Sequence, residues 1–292
     1  MDQTAAPLGQ IRTRLSVLFA AGAPRAVILL RAPRTHWRLI TWDLSRDVFT
    51  PGQWMVGLIK LCDLSPSGEK LIYWAAQHHR SAPRQIPLRP TPGKPYDPLT
   101  ALPSKPPRQG RRVPRYMQHL VQSSRASSPG RLDTTWTAIS TPPYFTALAL
   151  WPAFGHWTGG GLFLTDHEIL IHEPENRMVP IETVPLPRQV RIGSWFSSGQ
   201  GFKPSALRPS EGTNIDSGKF WEALVRGGAA WVEWVHIHEH GELLFGCDGC
   251  VYRLPRWQQV DPSDYLRTAT RIADFRDMRF EAVQTPSEAM RW

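Results

Sequence analysis

Short turns that lead directly into short apolar strands are the feature that most constrains the fold of this chain. The turn sequence Ser-Pro-Ser-Gly at residues 65–68 precedes the apolar and aromatic strand candidate at 70–75, and residues 239–252 repeat the pattern twice. Asp248-Gly249 predicts a type I′ hairpin, because both central residues of that turn need positive φ. About a dozen such strands follow one another without alternating helices, so the sequence predicts an all-β fold of short antiparallel hairpins.

Several local signals refine this prediction. Pro51-Gly52 predicts a type II turn. Asp261 before Pro262 has the pattern of a helix cap and a first helical residue, which predicts a short C-terminal helix over residues 263–274. Another short helix is expected at 217–225. Residues 15–23 have the composition of a signal-peptide core, and two successive strands explain the same region equally well.

Two motifs are similar to those of β-propeller blades. Trp42-Asp43 ends a strand candidate as the Trp-Asp pair does in WD-repeat blades, and Ser65-Pro66 opens a run similar to an inner-strand entry. The chain also resembles a family of uncharacterised bacterial proteins with propeller-like, WD-repeat-like blades, through residues 49–54, 62–69, 136–152 and 273–281. The resemblance implies a β-propeller or propeller-like array of hairpins and implies no activity. The roughly 240 residues outside residues 80–131 leave room for about five blades.

Basic charge is concentrated in one segment, residues 80–131. This segment contains eleven Lys and Arg residues but only one acid, Asp97, so its net charge is +10 and the rest of the chain carries −1 of the total +9. It also contains eleven of the 28 prolines, a composition that favours polyproline II or disordered chain. The sequence therefore predicts a propeller-like domain at 1–79 and 132–292, interrupted by a disordered insertion at 80–131.

The basic insertion has more than one interpretation. It can dock on a proline-reading domain or an anionic surface, or it can be a solvated loop. Nucleic-acid association is a further possibility, although Tyr96 and Tyr116 are its only aromatic residues for base stacking. Its candidate binding residues form one cluster of arginines: Arg108, Arg111, Arg112 and Arg115.

A zinc site is the sharpest metal hypothesis. Its candidate ligands are His236, His238, Cys247 and Cys250. Zinc accepts both ligand types, and a Cys-x-x-Cys hairpin resembles one knuckle of a zinc ribbon. A full ribbon needs a second Cys or His pair at proper spacing, and an ordinary hairpin turn also tolerates two flanking cysteines. We therefore expect a structural hairpin and no cofactor, with zinc as the minority alternative.

Other motifs do not define a catalytic site. The run Gly159-Gly160-Gly161 lacks the spacing of a phosphate-binding loop, and no Gly-x-Ser-x-Gly nucleophile elbow occurs near Ser198. Three tryptophans near loop ends can line a binding face: Trp54, Trp157 and Trp195.

These observations favour a non-enzymatic protein-interaction module that uses the basic insertion as an accessory tether. The alternatives are a hydrolase with a site at the propeller axis and nucleic-acid association through the insertion. Three cysteines are too few for a disulfide framework, which favours a reducing, cytoplasmic location. No apolar run approaches the roughly 18–20 residues that span a bilayer, so no membrane partner is expected.

Overall fold

The computed structural model describes residues 13–32, 36–77, 134–153, 159–171, 181–182, 187–194, 217–238 and 240–292. Within these ranges sixteen strands form four mostly antiparallel sheets, accompanied by two short α-helices. The predicted all-β class is confirmed. No helix of the described residues combines the length and apolar character needed to cross a membrane.

Sheet A is a four-stranded antiparallel meander. It contains β1 (Arg14–Phe19), β2 (Arg25–Arg31), β3 (His36–Asp43) and β4 (Val48–Val56), in this order. The first two strands occupy the apolar runs that follow Thr13, as the strand interpretation of that region predicted.

Sheet B continues the meander. It contains β5 (Leu58–Leu64), β6 (Leu71–Gln77), β7 (Thr134–Ser140) and β8 (Ala147–Ala153), with β11 (Ile181–Glu182) paired to the edge of β8. Strands β6 and β7 are antiparallel neighbours over their full length. Residues 78–133, which include the expected insertion at 80–131, therefore connect two adjacent strands and lie outside the described residues.

The remaining strands form two smaller sheets. Sheet C contains β9 (Gly161–Phe163), β10 (Glu168–Ile171) and β12 (Arg191–Ser194), and sheet D contains β13 (Val232–Ile237), β14 (Leu243–Cys247), β15 (Cys250–Leu254) and β16 (Thr270–Asp274). Only β10 and β12 pair in parallel among the described strands. Asp248 and Gly249 have φ of 52° and 77°, so the predicted hairpin between β14 and β15 is confirmed.

The helices are α1 (Ser217–Arg226) and α2 (Tyr265–Thr268). The side chain of Asp261 accepts a hydrogen bond from the backbone N–H of Ser263, as expected for the cap. The prediction that the C-terminal helix extends to residue 274 was wrong. Residues 270–274 form β16 instead, because they complete sheet D by pairing with β15.

Alternating side chains on each strand connect the sheets into layers. On β2, Val27 and Leu29 pack against sheet B, whereas Ala26, Ile28 and Leu30 pack against sheet D. The same period of two holds in sheet B, where residues on alternate faces contact sheet A or sheet C. The second face of sheet D packs on α1 and α2. The described layers therefore follow the order helices, D, A, B, C.

The predicted turn at Pro51-Gly52 was also wrong, because β4 continues through both residues. β4 is the edge strand of sheet A, where proline is tolerated, and an irregularity in its pairing with β3 accommodates Pro51. The backbone N–H of Gln53 bonds the carbonyl of Pro143, in the turn between β7 and β8 of sheet B, at 3.0 Å. A Cβ on Gly52 would overlap the backbone and Cβ of Pro143, so glycine is required for this approach.

We expect Gly52→Ala to destabilise the protein by about 3 kcal/mol, since the added methyl group forces sheets A and B apart. Thr50→Ala is the matched control on the same strand, because Thr50 is exposed, and its effect should stay below about 1 kcal/mol. Urea unfolding followed by tryptophan fluorescence measures both. Equal midpoints for the two variants would contradict the close packing at Gly52.

Candidate functional site

Trp54 lies in the core between sheets A and D. Its side chain is 3% exposed, the guanidinium of Arg38 lies 5.3 Å from its ring centroid, and the ring of Phe280 packs beside it at 6.0 Å. In the described structure this tryptophan therefore contributes packing and a cation–π contact, and presents little open surface.

The other predicted binding residues lie outside the described residues. These are Trp157, Trp195, Arg108, Arg111, Arg112 and Arg115.

The four candidate zinc ligands lie at opposite ends of the β13–β14 hairpin. In the register of this hairpin Cys247 pairs with Val232, whereas His236 pairs with Leu244. Four residues of strand separate Val232 from His236, which corresponds to roughly 13 Å. The structure therefore keeps the histidine pair apart from the cysteine pair. Among the described residues, no group of three or more His, Cys, Asp or Glu side chains is arranged to hold a metal ion.

His236 is part of an aromatic cluster between sheets D and A. Its ring stacks on Phe19 with centroids 3.8 Å apart, and Trp234 on the same strand also packs against Phe19. Burial, reinforced by neighbouring His238, lowers the pKa of His236 to about 4. The ring is therefore neutral near pH 7 and acts as a packing group.

A cluster of titratable side chains surrounds the hairpin turn at Asp248. The Asp248 carboxylate accepts hydrogen bonds from the backbone N–H of Ala230 at 2.9 Å and from the thiol of Cys247 at 3.5 Å. Glu233 accepts a bond from the backbone N–H of Gly249 at 3.2 Å through Oε1, while its Oε2 is buried without a hydrogen-bond partner. Burial, with the charge of Asp248 adding to it, raises the pKa of Glu233 to about 8.

The two thiols of this cluster are both 1% exposed. Burial raises the pKa of Cys247, and the charge of Asp248 raises it further. Burial and the charge of Asp274 likewise raise the pKa of Cys250. Because the thiolate is the nucleophilic form, this environment favours inert thiols and gives a reactive cysteine no support.

Asp274 closes the cluster on the β16 side. Hydrogen bonds from the Arg276 side chain hold the pKa of Asp274 well below its usual range, and one of them joins Nε to Oδ1 at 2.9 Å. Arg271 lies within 3.3 Å of the same carboxylate. The cluster thus combines a protonated glutamic acid, two protonated thiols, the carboxylate of Asp248 and the charge-compensated carboxylate of Asp274. None of these groups is an activated nucleophile.

The opposite end of the sheets carries a surface of linked turns. We call residues 20–24, 43–47, 65–70, 164–167 and 240–242 the turn surface. Main-chain bonds join it at two places, from Gly22 N–H to the Pro66 carbonyl and from Leu44 N–H to the Pro24 carbonyl, both at 2.9 Å. These bonds connect the turns of sheets A and B to each other and hold the β3–β4 turn against the β1–β2 turn.

Side chains extend the same surface to sheets C and D. The carboxylate of Asp166 accepts a bond from the backbone N–H of Ser67 at 2.9 Å, which links sheet C to sheet B. Arg253 of sheet D donates to Asp47 at 2.7 Å and also to Glu242. Carboxylates in these turns therefore stabilise contacts between neighbouring sheets.

Exposed groups lie on this fixed surface. Leu164 is 54% exposed, and an exposed ion pair joins Arg25 to Glu69 at 3.5 Å. Arg46 and His240 are also exposed. The turn surface thus presents one large exposed apolar side chain and several charged groups on a backbone that hydrogen bonds hold in place.

Sequence reasoning missed Glu233 and Arg38. Both are charged residues inside strands that otherwise read as apolar, and that interruption is a signal that each charge has a specific partner or purpose. Comparison of the chain with models of protein families, with curated proteins and with solved structures gave no match.

Glu233 gives the protein a specific pH dependence. Below its unfolded pKa of 4.5 the carboxyl is protonated in both states, and between 4.5 and about 8 only the unfolded chain releases the proton. This raised pKa therefore makes stability fall as pH rises through that window. Glu233→Gln cannot ionise, so the variant should be more stable than the wild type at pH 8 by at least about 2 kcal/mol.

Urea unfolding at pH 5, 6, 7 and 8 measures this effect. Glu222→Gln is the matched control, because Glu222 forms an exposed ion pair with Arg226 on α1, and its pH profile should follow the wild type. Parallel profiles for Glu233→Gln and the wild type would show that Glu233 is not protonated in the folded state.

Proposed function

We propose that this chain is a non-enzymatic protein-interaction module with a propeller-like arrangement of sheets, and that it binds a protein partner through the turn surface. The observation that carries this proposal is the linkage of turns from all four sheets into one surface that displays Leu164. A backbone ordered before binding loses little conformational entropy on association, which suits a recognition surface.

Contacts between the first strands of the sheets support the propeller-like arrangement. β13 contacts β1, β1 contacts β5, and β5 contacts β9, as inner strands do when sheets are arranged radially. Each sheet also packs face to face on the next. The resemblance to WD-repeat-like blades agrees with this order of contacts.

The role proposed for the turn surface is tested by site-specific photo-crosslinking. A photoreactive residue at Leu164 should give a discrete crosslinked partner in cells, since this side chain is exposed on the turn surface. The control position is Val225 on α1, which is equally accessible at 52% exposure. No product at Leu164, or the same products at both positions, would contradict the proposal.

The basic insertion is proposed as an accessory tether for the same partner. Deletion of residues 84–128 should weaken partner recovery in a pull-down about tenfold without changing the identity of the partner, because a tether acts by raising effective concentration. Equal recovery with and without the insertion would remove the tether.

Nucleic-acid association is the second candidate, favoured by the +10 charge of residues 80–131. Counterion release makes such binding fall steeply with salt. A mobility-shift titration at several salt concentrations, with the same deletion variant as control, separates this function from protein binding. Binding that persists in the deletion variant would contradict a role for the insertion.

A further inference from the structure

The C-terminal residues lie across sheets A and B in the manner of a bound peptide. We call residues 280–292 the tail, and the side chains of Arg38, Gln53 and Thr146 the tail groove. Residues 280–286 form neither helix nor strand, and the contacts of this part of the tail run to buried polar side chains that the sheets hold in place. These contacts resemble the recognition of one chain by another more than the packing of a core.

Gln53 is the central recognition residue. It is 2% exposed, and its Oε1 accepts a bond from the backbone N–H of Phe145 at 2.7 Å, which fixes the amide. Its Nε2 donates to the Val283 carbonyl at 3.3 Å and to the Thr285 hydroxyl at 2.6 Å. One buried amide therefore donates hydrogen bonds to both the main chain and a side chain of the tail.

Two further groups define what the groove accepts. Arg38 is 3% exposed, its Nε bonds the carbonyl of Gly52 at 3.2 Å, and its Nη2 donates to the carboxylate of Glu281. The hydroxyl of Thr146 shares a hydrogen bond of 2.5 Å with that of Thr285. The groove thus selects a carboxylate and, four residues later, a hydroxyl.

Burial differs sharply between the two sides of this contact. Phe280 is 66% exposed, the side chain of Glu281 is 62% exposed, and Ala282 and Gln284 are exposed as well. Residues 280–284 therefore bury little apolar surface and gain little to offset their ordering entropy. The end of the tail is held more firmly, by burial of Ala289, by packing of Trp292 against the core and by a bond from Lys70 to the Arg291 carbonyl at 2.7 Å. Segments such as residues 280–284 open locally at low free-energy cost, whereas Arg38 and Gln53 lie on strands of sheet A.

We propose that the tail groove is a peptide-recognition site that the tail occupies in cis and that an extended segment of a partner protein, with a carboxylate followed by a hydroxyl four residues later, occupies in trans. The tail is attached beside the groove and has a high effective concentration there. Exchange with the identical tail of a second copy gains no new contact, so a partner with additional contacts is the favoured competitor. This inference rests on the proposed function as an interaction module.

The test uses the full chain with a protease recognition sequence inserted between Arg279 and Phe280, both of which are exposed. The protein is cleaved after folding, the released tail is removed by dilution, and a fluorescein-labelled peptide of residues 280–292 is titrated in. Fluorescence anisotropy should show at least about tenfold tighter binding to the cleaved protein than to the uncleaved one, because the cis competitor is gone.

Specificity is tested with a matched peptide that carries Glu281→Gln and Thr285→Val. This peptide should bind at least about tenfold more weakly, since it loses a charge-assisted bond and a hydroxyl contact. Thr146→Val in the cleaved protein should weaken binding of the native peptide and leave binding of the matched peptide unchanged.

Each other result overturns the proposal. Equal binding of the two peptides means that the groove does not read them, and absence of binding to a cleaved protein with native circular dichroism means that no exchange occurs. Unfolding on cleavage makes the tail a structural strap. If the uncleaved protein forms dimers and the peptide dissociates them, the occupant of the groove is the tail of a second copy. The photo-crosslink at Leu164 is read independently, so failure here leaves the turn surface untouched.

Discussion

Burial of both faces of sheets A and B is the constraint on which the rest of the structure depends. Consecutive residues of β2 enter two different cores, with Val27 and Leu29 on one side and Ile28 and Leu30 on the other. A polar side chain in such a strand cannot face solvent. It must therefore form hydrogen bonds within the protein, or its burial destabilises the fold. Each buried polar residue of these sheets therefore indicates a specific hydrogen-bond partner.

Local signals predicted the elements well where the turn itself determines the structure. The hairpin at Asp248-Gly249 needs positive φ, and the cap at Asp261 needs only the backbone N–H of Ser263. Predictions failed where a contact with a residue distant in sequence determines the local structure. Pro51-Gly52 stays in β4 because the backbone of Pro143 lies against it, and residues 270–274 become strand because β15 offers an unpaired edge. The order of the layers depends wholly on such long-range contacts.

The site was less predictable than the fold for a related reason. Residues His236 and Cys247 are near in sequence, but antiparallel pairing places them at opposite ends of one hairpin. Glu233 acquires its environment only when β13 packs it into the sheet, where burial, with the charge of Asp248 adding to it, raises its pKa to about 8. The sequence alone shows that a charged residue interrupts an apolar strand. The group that this residue contacts is seen only in the structure.

The two proposed binding surfaces follow from different uses of polar groups. On the turn surface, main-chain groups and the carboxylate of Asp166 bond neighbouring turns to each other, so the polar groups fix shape and leave recognition to exposed side chains. In the tail groove, the carbonyl of Gly52 holds Arg38 and the N–H of Phe145 holds Gln53, and both side chains direct further donors to the tail. Because leaving these buried donors unpaired is costly, the groove favours an occupied state at all times. Under the proposal a partner has to displace the tail, so its apparent affinity equals its own binding free energy minus that of the tail.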